Sequence, residues 1–169
     1  MADASPVLEH PSVLRVRAAL RERGATGDVV VLDDHARTAV AAAEQLGVTV
    51  AQIANSLLFA VPDGTAPDGR SALLVLTSGA HRVDTGKVAA LLGVPRLERA
   101  DPAFVRDRTG FAIGGVAPVG HPAPLRTLVD SALAGHDEVW AAAGHPRSVF
   151  RTSYAELLTI TGGTSADVA

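Results

Sequence analysis

The sequence predicts an α+β fold, in which one mixed sheet is flanked by short helices. Two features indicate this class: helical patterns come first, and strand-like runs then follow mixed with short helices, without the regular alternation of a doubly wound sheet. At 169 residues the chain fits one domain that buries a sizeable core. Because aromatic residues make up only 4% of the chain, we expect that core to be mostly aliphatic.

The first elements are predicted to be helix, strand and helix. The segment VLRVRAALRERG places apolar residues at helical spacing after a Ser12 cap and stops at Gly24. A β-branched run over 28–34 predicts a strand, and the alanine-rich run over 36–47 ends on a glycine, as helices commonly do.

The middle of the chain is predicted to form a hairpin. Apolar runs over 55–61 and 71–77 flank a turn-forming segment with two Asp-Gly pairs, so we expect a long, mobile tip.

The second half is predicted to hold two capped helices and further strands. One helix covers 84–93 and is capped by Asp84, and another starts after Asp101 with Pro102 in its first position. The remaining predicted elements are strands over 125–130, 138–144 and 148–152, a helix over 153–163 and a frayed tail over 164–169.

Composition excludes several classes of function. With no cysteine, the chain has no disulfide, thiolate metal site or Cys nucleophile. A formal net charge of −3 argues against a broad surface that binds nucleic-acid phosphates, although a local basic face can bind the end of a nucleic acid. No signal peptide or membrane-spanning run is recognisable, so we expect a cytoplasmic protein.

Familiar catalytic motifs are incomplete. TGKV at 85–88 lacks the leading glycine and the Ser or Thr of a phosphate-binding loop, and TSG at 77–79 lacks the leading glycine of a nucleophile elbow. The six histidines show no helical pairing with a carboxylate, so a metal site is not predicted.

The most unusual stretch is the loop TGFAIGGVAPVGHPAPL over 109–125. Glycine has no Cβ and accepts positive φ, so such a loop brings main-chain N–H groups close to an anion or an oxyanion. A strand followed by tight turns explains the same residues equally well.

The order of several segments resembles the YbaK family, also called the prolyl-tRNA synthetase associated domain. The similarity covers about residues 10–163, which leaves 1–9 and 164–169 as tails. The matching segments are SLLF from Ser56, HRVDTGKVAALLG over 81–93, the glycine loop, the Asp130 strand end and AAG before a final strand and helix.

The resemblance implies a single-domain, barrel-like mixed sheet and an aminoacyl-tRNA deacylase activity. Such enzymes hydrolyse tRNA charged with the wrong small amino acid, in trans or as an editing domain within a synthetase. The implied partners are the acceptor end of a mischarged tRNA and an aminoacyl-tRNA synthetase, and no metal or organic cofactor is needed. Ester hydrolysis develops negative charge on the carbonyl oxygen, which the amides of Gly114, Gly115 and Val116 would stabilise.

One residue departs from the family pattern. Asn55 stands where family deacylases carry a lysine. An amide still donates a hydrogen bond but supplies no positive charge, so Asn55 is either a catalytic group, a strand-start cap or the mark of a lapsed site.

Further candidate contacts come from the same resemblance. His145 would orient water or bind the substrate, or it is an ordinary loop histidine. Asp130 would bind the substrate ammonium or a ribose hydroxyl, or it caps the following turn. Ser56 would support a substrate hydroxyl, or it is an ordinary strand residue. The remaining predicted substrate-binding residues are Pro118, Gly120 and Gly144. Arg82, Lys87, Arg106 and Arg108 are candidates for a basic face.

Two other functions remain open. The first is a non-catalytic module that binds aminoacyl-adenosine-like ligands or a synthetase, and the absence of the family lysine agrees with it. The second is an enzyme that acts on another small acyl ester, for which the same loop would bind the carbonyl oxygen.

Overall fold

A computed structural model describes residues 3–169 and shows six helices around one eight-stranded mixed sheet. The helices are α1 (Ser5–Leu8), α2 (Pro11–Glu22), α3 (Ala39–Leu46), α4 (Thr85–Leu92), α5 (Pro102–Thr109) and α6 (Tyr154–Thr161). The strands are β1 (Val29–Val31), β2 (Ile53–Pro62), β3 (Arg70–Ser78), β4 (Glu98–Arg99), β5 (Arg126–Asp130), β6 (Val139–Ala142), β7 (Ser148–Thr152) and β8 (Thr164–Ala166). The α+β prediction is confirmed.

The long β2–β3 hairpin forms the centre of the sheet, as predicted. Its strands pair antiparallel from Ala54↔Ser78 to Pro62↔Arg70. The strand order is β1-β7-β6-β2-β3-β5-β8, with β2 parallel to β6 and β3 parallel to β5. The hairpin therefore joins the two halves of the sheet.

The core is mostly aliphatic, as the composition predicts. The main cluster packs α2, α5 and α6 with the central strands around Phe111 and Phe150, which are 1% and 0% exposed. A smaller cluster around Val75 and Val88 lies under α4. Burial of these side chains stabilises the fold at about 25 cal/mol per Å² of apolar surface.

The expected helix signals are present, with one difference. Asp84 and Asp101 cap α4 and α5, and Gly47 and Gly93 end α3 and α4 in the left-handed region. The cap of α2, however, is His10, whose Nδ1 accepts from the Ser12 N–H at 3.1 Å. Pro11 then takes the first helical position, where its missing N–H costs nothing.

The prediction of a frayed tail over residues 164–169 is wrong. Residues 164–166 form β8, which pairs parallel with β5, and Val168 is 0% exposed. Residues 5–8 at the other end form α1, which buries Val7; of the predicted N-terminal tail, residues 1 and 2 lie outside the described residues. Both segments contribute apolar side chains that the domain buries.

The sheet is not a closed barrel. Across residues 3–169, β1 and β8 are its two edges, and no pairing joins them. The short strand β4, which the sequence did not predict, pairs with β2 at Phe59↔Arg99 and Ala60↔Glu98. Over the same residues, no helix has the length and apolar character needed to span a bilayer.

Candidate functional site

A gap in the sheet creates the main cavity. On one edge β2 is fully paired with β3, but on the other edge it meets β6 only at residues 53–54 and β4 only at residues 59–60. Residues 55–58 therefore have no strand partner on that edge within the described chain. An unpaired strand edge presents backbone N–H and C=O groups to a ligand.

The cavity at this gap has a volume of about 670 Å³. That volume lies in the range of ligand sites. Its walls come from the β1–α3 connection and α3, from residues 53–58 of β2, from β4 and α5, from the glycine loop, and from β6 and the turn that follows it. Among the predicted site residues, those that line it are Asn55, Ser56, Gly114, Val116 and His145.

The glycine loop brings two unpaired amides to the cavity. Gly115 donates its N–H to Ala112 O at 3.1 Å, which closes a turn. Gly114, with φ +95°, and Val116 line the cavity, and their N–H groups have no hydrogen-bond partner within residues 3–169. Of the three predicted amides, Gly114 and Val116 are thus the two that donate to no acceptor in the described chain.

Gly115 has a packing role that only glycine fills easily. A Cβ at this position would lie 3.2 Å from the carbonyl oxygen of Gly144 and 3.4 Å from the His145 nitrogen. Gly144, with φ +101°, itself lies so close to α2 that a Cβ would be 2.8 Å from Ser12 O. These contacts hold the glycine loop against the β6–β7 turn.

Asn55 and Ser56 present polar groups without protein partners. The Asn55 side chain makes no hydrogen bond within residues 3–169, so the predicted capping alternative has no contact to support it. The Ser56 Oγ is buried and has no hydrogen-bond partner in the described chain. A buried hydroxyl that lacks a partner costs free energy, and this one belongs to a residue of the cavity lining.

His145 is oriented by the β6–β7 turn. Its Nδ1 accepts from the Arg147 N–H at 3.0 Å, which leaves the proton of the neutral ring on Nε2. Burial lowers the pKa of His145, and the neighbouring imidazoles of His10 and His35 lower it further. The ring is therefore neutral at pH 7 and offers Nε2–H as a donor.

The other predicted site residues lie outside the cavity lining. Pro118 is buried in the core, and Gly120 turns the chain over the Phe111 ring with φ +87°. Asp130 is 1% exposed and accepts from the backbone N–H groups of Ser78 and Ala132, both at 3.0 Å, while its Oδ2 lies 2.9 Å from His81 Nδ1. Asp130 thus caps the 3₁₀ turn Ser131–Gly135, the alternative that the sequence left open.

No metal centre is recognisable. In the part of the chain that the structure describes, His, Asp and Glu nowhere form a group of three or more that could hold an ion. The rings of His10 and His35 each lie near the His145 ring, with centroid distances of 5.4 and 5.8 Å, but the three do not form such a group.

Comparison with known proteins shows the family to which the chain belongs. A family model for the aminoacyl-tRNA editing domain matches residues 33–160, a range that includes the sheet gap, the glycine loop and the β6–β7 turn. The chain belongs to the aminoacyl-tRNA editing domain family.

Relatives of this editing domain are both free-standing and part of larger enzymes. The uncharacterized protein YwhH of Bacillus subtilis is 27% identical over 146 residues, which cover 86% of this chain and 88% of that protein. A proline–tRNA ligase of Listeria innocua is 26% identical over 143 residues, 79% of this chain but only 24% of the ligase. The chain is thus similar to one segment of that synthetase.

A solved structure shares the whole fold of the editing domain. It is provisionally described as a trans-editing enzyme for prolyl tRNA synthetase, and it superposes with a TM-score of 0.84 at 47% identity. The match covers 94% of this chain and 96% of that one.

The charge around the cavity is the feature that the sequence did not predict. Arg37 and Arg99 line the cavity, and none of the described lining residues is Asp or Glu. Of the four residues predicted to form a basic face, none lines it; Lys87 pairs with Asp167 at 2.7 Å and Arg108 with Asp68 at 2.6 Å. The position of Arg99 at the cavity follows from the pairing of β4 with β2, which local sequence patterns do not predict.

Proposed function

We propose that the chain is a cytoplasmic aminoacyl-tRNA deacylase that hydrolyses the ester of tRNA mischarged with a small amino acid. The observation that carries the proposal is the pair of unpaired amides, Gly114 and Val116, at the wall of a cavity built on the open edge of β2. Family membership supplies the substrate class.

The reaction needs stabilisation of one developing charge. Water attacks the ester carbonyl carbon, the carbonyl oxygen becomes negative, and the C–O bond to the ribose then breaks. The proton of the attacking water ends on the released ribose hydroxyl, directly or through solvent. The Gly114 and Val116 N–H groups would hold the oxyanion, and removal of one such donor typically slows a reaction by about 10²–10³-fold.

The polar side chains of the cavity would orient the substrate. Asn55 and Ser56 have hydrogen-bonding groups without protein partners, and His145 Nε2–H adds a neutral donor. Ser56 Oγ contacts no base, so we assign it to binding and not to nucleophilic attack. In this proposal, water or a substrate hydroxyl is the nucleophile.

The lining favours small side chains. Ala54, Ala141, Ala142 and Val116 form an apolar part of the lining, where a small aliphatic side chain of the substrate would bind. Discrimination by one methylene in a binding pocket reaches only about 10–200-fold, which explains why a second, hydrolytic site is useful.

A non-catalytic binding module is the second candidate. Asn55 supports it, because the cavity has no lysine among its described lining residues. Such a module would recognise an aminoacyl-adenosine-like ligand, or dock on a synthetase, without cleaving the ester.

Single-turnover deacylation of tRNAs charged with Cys, Ala, Ser, Thr or Pro distinguishes the deacylase from the non-catalytic binding module. The deacylase proposal predicts rapid loss of one or two of these amino acids and little effect on the others. A folded protein that cleaves none, and whose Asn55→Lys variant gains cleavage, would instead support the binding module.

A further inference from the structure

The cavity combines free positive charge with the absence of carboxylates. The chain has 18 Asp and Glu against 15 Lys and Arg, yet the described lining contains Arg37, Arg99 and His145 and no acidic residue. His145 is neutral at pH 7, so the two arginines carry the charge. A site of this composition attracts an anion.

The two guanidinium groups are not used by the protein itself. Arg37 and Arg99 are exposed, and neither side chain makes a hydrogen bond or an ion pair within residues 3–169. Other arginines are engaged: Arg108 pairs with Asp68, Arg147 donates to Leu32 O and Arg15 donates to Gly110 O. An arginine that no carboxylate neutralises is free to bind an external phosphate.

Their positions mark the two ends of the open strand edge. Arg37 precedes α3, whose residues pack in one cluster with Ile53 where β2 meets β6. Arg99 belongs to β4 and lies opposite Phe59, where β2 meets β4. The stretch of extended strand from residue 53 to residue 59 spans about 20 Å, so the segments that carry the two arginines meet β2 at opposite ends of the gap.

We propose that Arg37 and Arg99 bind backbone phosphates of the unpaired 3′ strand that carries the aminoacyl ester. This inference rests on the proposed function. The cavity takes the ester and its amino acid, and the two arginines bind phosphodiester groups as the strand enters between them. Phosphate contacts position a strand without reading its sequence, so the site would serve several tRNAs.

Binding can be measured without any catalysis. The ligand is a labelled acceptor-stem RNA with its four unpaired 3′ nucleotides, compared with the same stem lacking them. We expect Arg37→Ala and Arg99→Ala each to weaken binding of the complete RNA about tenfold. Each should also reduce the slope of log affinity against log salt by about 0.7, the value for one contact to a single strand. Neither should alter the weaker binding of the blunt stem.

Matched controls are Arg21→Ala on α2 and Arg126→Ala on β5, which remove exposed charges away from the cavity lining. Equal losses in the control variants, or unchanged binding in both cavity variants, would overturn the inference.

Kinetics distinguish this inference from the deacylase proposal. On aminoacyl-tRNA, the cavity variants should raise KM with little change in kcat, and on 3′-aminoacyl-adenosine, which lacks phosphodiesters, they should match the wild type. Wild-type protein that cleaves neither substrate would contradict the deacylase proposal, while the RNA-binding comparison still decides the role of the arginines. Equal loss on both substrates would overturn the phosphate assignment.

Discussion

Asp130 illustrates how one buried carboxylate organises several segments. It accepts from the Ser78 N–H of β3 and the Ala132 N–H of the following turn, and it pairs with His81. These groups come from the C-terminal end of β3, the chain beyond it and the end of β5, so a single side chain fixes their relative positions. A carboxylate with this many partners is expected to act on stability more than on chemistry.

Removing the Asp130 carboxylate should destabilise the fold. Asp130→Ala leaves the buried Ser78 N–H without its acceptor, and we expect a loss of about 3 kcal/mol in the free energy of unfolding by urea. The control Asp84→Ala removes an exposed cap of α4 and should cost about 1 kcal/mol. An Asp130→Asn variant of normal stability with strongly reduced deacylation would show instead that Asp130 contacts substrate.

His145 should make stability depend on pH. Because its pKa is lowered in the folded protein, the unfolded chain takes up a proton first as the pH falls below about 6.5. Stability should therefore decrease from about pH 7 down through the lowered pKa and level off below it. His145→Gln should make part of this decrease disappear in urea unfolding measured between pH 7.5 and 5.5. The half-buried His121, whose pKa is also lowered, accounts for the rest. An unchanged slope in that variant would contradict this role.

Among the strands, β2 and β8 show what local sequence does and does not reveal. The β2–β3 hairpin was predictable because two apolar runs flank turn-forming Asp-Gly pairs. Strand β8 was not, because TSADVA carries little local strand signal and gains its structure from pairing with β5. Long-range pairing overrode local propensity in this segment.

The C-terminal segment should contribute measurably to stability. Val168 is fully buried against the cluster that contains Val75 and Val88, so Val168→Ala should cost about 2 kcal/mol. The control Val30→Ala, at a position 42% exposed on β1, should change stability by less than about 0.5 kcal/mol. Equal unfolding midpoints for both variants would indicate that the segment is frayed after all.

For the chain as a whole, the sequence predicted the fold class and the residues of the glycine loop, but not the cavity. Cap, turn and periodicity signals are local, so they predicted individual helices, strands and turns. The resemblance to the family made Asn55, Gly114 and His145 candidate site residues. The gap between β6 and β4 depends on which strands pair across the sheet, and the free charges of Arg37 and Arg99 depend on which carboxylates lie near them. Both properties arise only when distant segments meet.

The glycine loop is proposed to hold the carbonyl oxygen of an aminoacyl ester, and Gly114 is the position at which this can be tested. Gly114 has φ +95°, and a Cβ added there would meet no atom within 4 Å, so Gly114→Ala perturbs the backbone without a steric clash. Gly69 at the hairpin tip has φ +75° and equally open surroundings, and Gly69→Ala is the matched control. Each substitution should cost about 1 kcal/mol of stability through backbone strain.

The decisive measurement is the single-turnover deacylation rate of these two variants on the preferred aminoacyl-tRNA. We expect at least about a tenfold loss for Gly114→Ala, because the donor that stabilises the oxyanion is displaced, and a wild-type rate for Gly69→Ala. A wild-type rate for Gly114→Ala would contradict the assignment of the glycine loop to the reaction.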